Sequence, residues 1–296
     1  MKSLGVPKIV SSPDHERFMF LIHIAPFKSD SHKLFTFHSF LRIVGGVILN
    51  DPVRIIEKKE VPSEATLLLG FPDVGLVGVI AASHLIDELH LTEVAYVDSK
   101  LLPPLIVLHE GLAHSSIRIF ANQSILLAVS EVPIPANVIY PVMDALIDWG
   151  KDKKVKMMVS LSGIPVQNRQ DLKEIKSFAA ASTPETLRMA QDKGMEILTE
   201  GYIVGPQAVV LLRAANSKSP ALALLAQCFY NYPDPEAAAE VLQELEKITT
   251  IKIDVAKLLD KGEEIRLRAR DVMKRTQQEL SKMKKGQEFD IPMYVS

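Results

Sequence analysis

The sequence predicts an α/β protein, with a mostly parallel central sheet flanked by helices and a long C-terminal helical extension. Two observations carry the sheet. Short apolar runs at residues 66–69, 155–161 and 221–226 alternate with stretches of helical periodicity, which is the pattern of βαβ crossovers. The run at 155–161 is strongly β-type and has no polar alternation, so it belongs in the middle of a sheet covered on both faces. A third observation carries the extension, because beyond residue 234 the apolar pattern is helical throughout. The expected division is an atypical N-terminal extension (1–48), an α/β core (49–233) and C-terminal helices with a tail (234–296).

The elements follow in order. A strand at 66–69 is closed by Gly70-Phe71-Pro72-Asp73, and a helix over 74–89 presents Leu76, Val77, Ile80, Ala81, His84, Leu85 and Leu89 on one face. A strand at 93–98 comes next. Residues 105–108 and 117–121 then suggest a hairpin around Glu110-Gly111, and another strand runs over 124–130. A helix over 137–149 turns Val138, Val142, Ala145, Leu146 and Trp149 inward. After the strand at 155–161, the polar stretch 167–182 is expected to be mobile. Thr183 and Pro184 mark a helix start, as do Gly205 and Pro206.

Asp234 and Pro235 open the first C-terminal helix, striped by Ala238, Val241, Leu242, Leu245 and Ile248. A second helix is expected from Asp254 to Lys285, roughly 48 Å long if unbroken. Its residues Val255, Leu258, Gly262, Ile265, Ala269, Val272 and Thr276 are spaced three-four, like a coiled-coil seam. Gly262 and Thr276 weaken that seam, so docking on a neighbour or on its own body is expected over a free coil.

Composition excludes several function classes. The chain has 296 residues, 47% hydrophobic and 24% charged, with a formal net charge of −2. That balance gives no global attraction to nucleic acid or an anionic membrane. The single cysteine, Cys228, allows neither an intrachain disulfide nor a CxxC motif and suits a reducing cytoplasm. The N-terminus differs from the rest: six of the eleven phenylalanines and four of the eight histidines fall within the first forty residues. Its longest apolar run, 18–27, is too short for a bilayer, which takes about 20 residues. Translation starting near Val47 is one expectation for this segment, and a genuine extra arm is the other.

Possible chemistry concentrates at Gly70, Asp73, Gly75 and Gly78, between a strand and a helix, where backbone N–H groups can cradle a phosphate. No Gly-Lys-Ser/Thr follows, and the spacing does not fit GxGxxG. A tight turn whose glycines permit close helix–sheet packing explains the loop as well. The histidines His84, His90, His109 and His114 lack metal-site spacing, so neither metal nor cofactor is expected. His109-Glu110 could form an acid/base pair or a solvated turn. Ser160-Leu161-Ser162-Gly163 is no nucleophile elbow, and no catalytic set emerges. Basic residues are dense from Lys257 to Lys285, yet no aromatic residues interleave for base stacking.

From Thr66 to Ile265 the chain resembles the proteasome assembly chaperone family, the type named after the second eukaryotic chaperone, and its archaeal homologues. The resemblance rests on Gly70-Phe71-Pro72 with Gly75-x-Val77-Gly78, Ser130-Glu131-Val132-Pro133, Ser162-Gly163-Ile164-Pro165, Gly205-Pro206, and Asp234-Pro235 with its following alanines. It implies a fold similar to nucleoside phosphorylases and hydrolases, with a chaperone role in place of their active site. It also implies homo-oligomers or heterodimers that assemble or bind the α-ring of the 20S proteasome. In some members a C-terminal hydrophobic–Tyr–any tripeptide enters pockets between α-subunits. Here Met293-Tyr294-Val295 is followed by Ser296, which places the terminal carboxylate one residue, roughly 3.4 Å, too far along.

The expectation is therefore a non-enzymatic, ATP-independent, cytoplasmic proteasome assembly chaperone, with no nucleic-acid or membrane partner. Its partners would be 20S α-subunits, other copies of itself and a paralogous or small protein, with Met293, Tyr294, Val295 and Ser296 as the docking tail. The alternative is a hydrolase or phosphorylase acting on a small phosphate- or ribose-bearing ligand at the Gly70–Gly78 loop.

Overall fold

In a computed structural model, described here for residues 42–44, 47–49 and 52–283, contacts divide the chain into two units, residues 1–48 and 49–296. In the first part of the chain β1 (Arg42–Val44) pairs with β2 (Val47–Leu49).

The larger unit is built on an eight-stranded sheet. Its strands in chain order are β3 (Val53–Glu57), β4 (Thr66–Gly70), β5 (Thr92–Ser99), β8 (Ile117–Ala121), β9 (Ile125–Ser130), β10 (Met157–Pro165), β11 (Ser177–Ala181) and β12 (Ala221–Cys228). A separate two-stranded hairpin joins β6 (Val107–His109) to β7 (Leu112–His114). Across the sheet the order is β11-β12-β10-β4-β9-β8-β5-β3. The four central strands, β12, β10, β4 and β9, run parallel, while both margins are antiparallel.

Continuous apolar runs in the centre follow from two covered faces. Leu68, Leu127, Val129, Val159 and Leu224 pack on one side, beneath α1 (Val77–Glu88) and α5 (Pro235–Ile248). Leu67, Leu69, Leu126 and Ala128 face the other, against α2 (Ile139–Asp152) and α4 (Pro206–Ser217). Successive strand residues alternate faces, so a run with no polar member is what a doubly covered strand needs. Trp149 closes the second face, its indole N–H donating to Glu57 at 2.8 Å. The Thr183 hydroxyl caps α3 (Pro184–Asp192) by accepting from the Thr186 N–H.

Three expectations need correction. The hairpin partner of residues 107–109 is 112–114, and 117–121 instead runs between β5 and β9 inside the sheet. Glu110 (φ +51°) and Gly111 (φ +80°) form a two-residue turn, too tight to reach as far as residue 117. The stretch 167–182 is anchored: it holds β11 with buried Phe178, and Arg169 is also buried. Polar composition concealed this because Arg169, Lys176 and Ser177 find their partners far along the chain, at Asp234 and Glu236, Glu196 and Glu240. The helix from Asp254 is broken into α6 (Ala256–Asp260), α7 (Gly262–Arg268) and α8 (Arg270–Lys282). Gly262 is buried at the first break, where an added Cβ would lie in ordinary contact 3.9 Å from the Pro235 ring, so the break falls where the chain packs near α5.

These pieces pack on their own body. Leu258, Met273 and Leu280 are buried and share the hydrophobic cluster of α1 and α5. Each buried side chain of this size contributes about 1.5–3 kcal/mol. A 13-residue helix is marginal by itself, so this burial is what holds α8 in place. Met293 to Ser296 lie outside the described residues.

Candidate functional site

In open α/β sheets, ligands bind beyond the carboxyl ends of the parallel strands. Here β4 ends at Gly70, β10 at Pro165 and β12 at Cys228, and the loop carrying Gly70, Asp73, Gly75 and Gly78 lies at that edge. The whole loop is buried. Gly75 takes φ +62°, and a Cβ there would stand 2.9 Å from that of Cys228. A Cβ at Gly78 would collide with the Leu161 carbonyl, and one at Gly70 with Ala82. The glycines thus let α1 approach the strands closely. Leu76 also adopts a left-handed conformation (φ +50°), held by complete burial of its side chain.

Asp73 brings a carboxylate to the space where a phosphate-binding loop would leave room for an anion. It accepts hydrogen bonds from the Ser162 hydroxyl at 2.6 Å and the Gln207 amide at 2.7 Å, all three residues being buried. Gln207 also donates to the Val204 carbonyl at 2.8 Å, which fixes its orientation at the start of α4. This set ties the carboxyl ends of two strands to a helix on the far face.

A second polar cluster lies beside it. The Arg169 guanidinium donates to both Asp234 oxygens, at 2.8 and 3.0 Å, and to Glu236 at 2.7 Å, while stacking on Phe229 with its carbon 5.0 Å from the ring centroid. Asp234 is fully buried and simultaneously caps α5, accepting from the Ala237 N–H at 3.1 Å. Its own N–H donates to the Gly75 carbonyl at 2.7 Å, joining the glycine loop to the helical extension. Burial disfavours the Arg169 charge, but Asp234 and Glu236 outweigh it and push the guanidinium up. Glu236 is held below the usual carboxylate range, first by its bond to Arg169, against the opposing effect of burial.

Over this edge lies α8. Thr276, Leu280 and Met283 meet Phe71, Pro72 and Pro206 around a residual cavity of about 10 Å³, room for roughly one water molecule. The Glu279 carboxylate fastens the helix by accepting from the Ala136 N–H at 3.2 Å.

The remaining candidates are dispersed. His84 bonds the Asp254 carbonyl at 2.8 Å. His109 pairs with Glu131 at 2.9 Å, so its carboxylate partner is Glu131 and not the neighbouring Glu110 at the hairpin turn. Cys228 is buried with its sulfur packed toward Gly75 and Gly163. No group of three His, Cys, Asp or Glu residues among the described residues could hold a metal ion. Nor is any helix among them long and apolar enough to cross a membrane.

Sequence reasoning missed Arg169, which sits in a polar stretch that carries no motif, and Gln207, which directly follows the Gly205-Pro206 helix start. It also missed an exposed apolar surface. Leu101, Leu105, Ile106, Leu108 and Leu112 are 38–65% exposed, gathered on the β6–β7 hairpin and the segment leading to it. Between that segment, residues 132–135 and α8 lies a groove of about 180 Å³.

The fold is thus a doubly covered α/β sheet with a filled carboxyl edge and an exposed apolar arm. The chain belongs to the PAC2 family, whose sequence profile matches residues 67–273. An uncharacterised protein of Methanocaldococcus jannaschii is 25% identical over 246 residues, covering 83% of this chain and 99% of its own length. Among solved structures, Pyrococcus furiosus PbaA, described as an archaeal homolog of proteasome-assembly chaperone, superposes with a TM-score of 0.71. It is 27% identical over 77% of this chain and 99% of its own. Pyrococcus furiosus PbaB, an archaeal proteasome activator, shares the fold at a TM-score of 0.66 and 19% identity, over 75% of this chain and 99% of its own.

Proposed function

We propose that this protein is a non-enzymatic, ATP-independent assembly chaperone of the proteasome system, working in the cytoplasm on 20S α-subunits. Family membership across residues 67–273 and the likeness to PbaA support the chaperone role. The observation that carries the non-enzymatic reading is the filled carboxyl edge. The Asp73–Ser162–Gln207 set and the Arg169–Asp234 pair are each bonded internally, and α8 leaves only about 10 Å³ above the loop. A phosphate- or ribose-bearing substrate needs a cleft far larger than that.

The body self-associates, and the exposed apolar arm at 101–112 is the surface that supports this reading, because contiguous apolar patches on soluble proteins mark interaction sites. The docking element is the tail, Met293, Tyr294, Val295 and Ser296. Its tyrosine and apolar neighbours suit a slot between subunits, and its carboxylate suits a lysine there.

Pull-down of archaeal 20S particles with intact protein, protein lacking Ser296, and protein lacking residues 293–296 tests this. Removing Ser296 brings the carboxylate into register and strengthens capture, whereas removing all four residues weakens it. Equal absence of binding in the first two forms would take the tail out of the mechanism.

A further inference from the structure

The β6–β7 hairpin carries two of the exposed leucines of the arm, yet none of Val107, Leu108 and Leu112 belongs to a hydrophobic cluster of the body. A two-stranded hairpin is marginal by itself, so something other than apolar packing holds it in place. The side chains that tie it to the sheet are its two histidines. His109 ends β6, and its Nε2 lies 2.9 Å from the Glu131 carboxylate just past β9 and 3.0 Å from a guanidinium nitrogen of Arg118 on β8. His114 ends β7, with its Nδ1 3.4 Å from an oxygen of Glu93 on β5. The two rings meet edge to face, 5.6 Å between centroids.

Charge already balances here without the histidines. Arg118 bonds Glu131 directly and approaches Glu93 at 3.4 Å, and Lys58, just past β3, bonds Glu93 as well. Burial raises Glu93, but Lys58 and Arg118 outweigh it and hold it low, so this carboxylate stays ionised in mild acid. Two cations therefore face two carboxylates, while Glu110 is exposed at the turn. A neutral His109 fits this arrangement, because its Nε2 lone pair accepts the second hydrogen of the same Arg118 nitrogen that bonds Glu131. A proton on Nε2 removes that acceptor. The imidazolium is then attracted by Glu131 and repelled by Arg118 from nearly equal distances, so the two effects largely cancel. What remains is unfavourable: a like charge on the His114 ring 5.6 Å away, and a proton at its Nδ1, which is buried and has no hydrogen-bond partner.

We propose that His109 and His114 form an acid-released latch: neutral, they hold the β6–β7 hairpin on β8 and β5, and doubly protonated they free it. Histidine is the side chain that ordinarily changes charge between pH 5 and 8, which sets the window. The latch regulates the arm through which the body self-associates in the proposed function, and it rests on that reading for its purpose. Opening of the hairpin is measurable without it.

The test follows hydrogen exchange of residues 105–115 at pH 7.5 and 5.5, corrected for the intrinsic pH dependence of exchange. It uses the full chain carrying Leu108→Ser with Leu112→Ser, so that assembly does not shield the arm. Exchange is expected to rise about three- to tenfold at pH 5.5, the scale of one like-charge contact in a largely aqueous setting. Adding His109→Gln and His114→Gln abolishes the rise, because a glutamine amide offers Arg118 an acceptor and never charges. Exchange that stays level or slows at pH 5.5, or a rise that survives both glutamines, overturns the latch. In the unsubstituted chain, light scattering at the two pH values is expected to show a lower assembly mass in acid. A mass that stays the same while the hairpin opens leaves the latch standing and removes the arm from self-association.

Discussion

The carboxyl edge of the parallel strands and the β6–β7 side of the sheet treat exposed surface in opposite ways. At the edge, Asp73, Ser162, Gln207, Arg169 and Asp234 are all buried, and each polar group named there has a partner. On the hairpin side, leucines stand 63–65% exposed at positions 108 and 112, and a groove remains open beside them. In related architectures the edge is where ligands bind. In this chain it has become a joint that fastens the helical extension, and the unsatisfied surface has moved elsewhere. The lesson is that an α/β switch point serves rigidity as readily as catalysis once its polar groups are paired internally.

The contrast can be broken most directly at Arg169. Arg169→Ala leaves Asp234 buried without its cation, and about 3–5 kcal/mol of stability should be lost. Calorimetry would register a fall in Tm on the order of 10 °C for a domain of this size. An unchanged Tm would mean that the joint does not bear on stability.

Gly78→Ala should cost about 1–3 kcal/mol, since its Cβ would meet the Leu161 carbonyl and α1 would have to move off the strand. Denaturant unfolding measures this. A neutral result would show that the loop has the slack a ligand site needs.

Acid sharpens the comparison further. Glu236, held low by Arg169, stays ionised when folded at pH values where the unfolded chain has begun to take up the proton. Its contribution is therefore present above the ordinary glutamate value of about 4.3 and is lost as pH falls through the lower folded value. Glu93 acts in the same direction: burial would raise it, but Lys58 and Arg118 outweigh that and lower it. Glu240 has the opposite sign. Burial raises it and its Ser177 bond only partly offsets this, so its contribution is complete at low pH and is lost as pH rises through the raised value. Glu236→Gln should flatten the acid limb of a stability–pH curve, and an unaltered limb would remove the cluster from the acid response.

The smallest effect on stability is expected at the arm. Leu108→Ser with Leu112→Ser should change unfolding free energy by no more than about 0.5 kcal/mol, because both residues face solvent. Light scattering should nonetheless show a lower assembly mass. An unchanged mass would locate self-association on another face.

Periodicity and turn chemistry made the central strands, α1, α2 and α3, and the cap of α5 at Asp234 legible in the sequence, because each depends on neighbours a few residues away. The same local signals found the glycine loop but could not tell an anion cradle from a packing joint. That distinction depends on Ser162 and Gln207, which lie 89 and 134 residues from Asp73 along the chain. Arg169 read as part of a polar stretch because its partners, Asp234 and Glu236, are 65 and 67 residues away. The exposed arm read as half of a hairpin with 117–121, since apolar residues have the same local pattern whether a sheet covers them or solvent does. The helix from Asp254 read as one rod because its apolar spacing is helical throughout, whereas its pieces α6 and α7 pack on α5, whose position the local pattern does not reveal. Sequence alone thus determined which segments are strands and helices, and their apolar faces, through short-range backbone and side-chain preferences. The tertiary structure decided which polar groups pair and which surface stays uncovered, because both depend on residues brought together only when the sheet closes its long-range register.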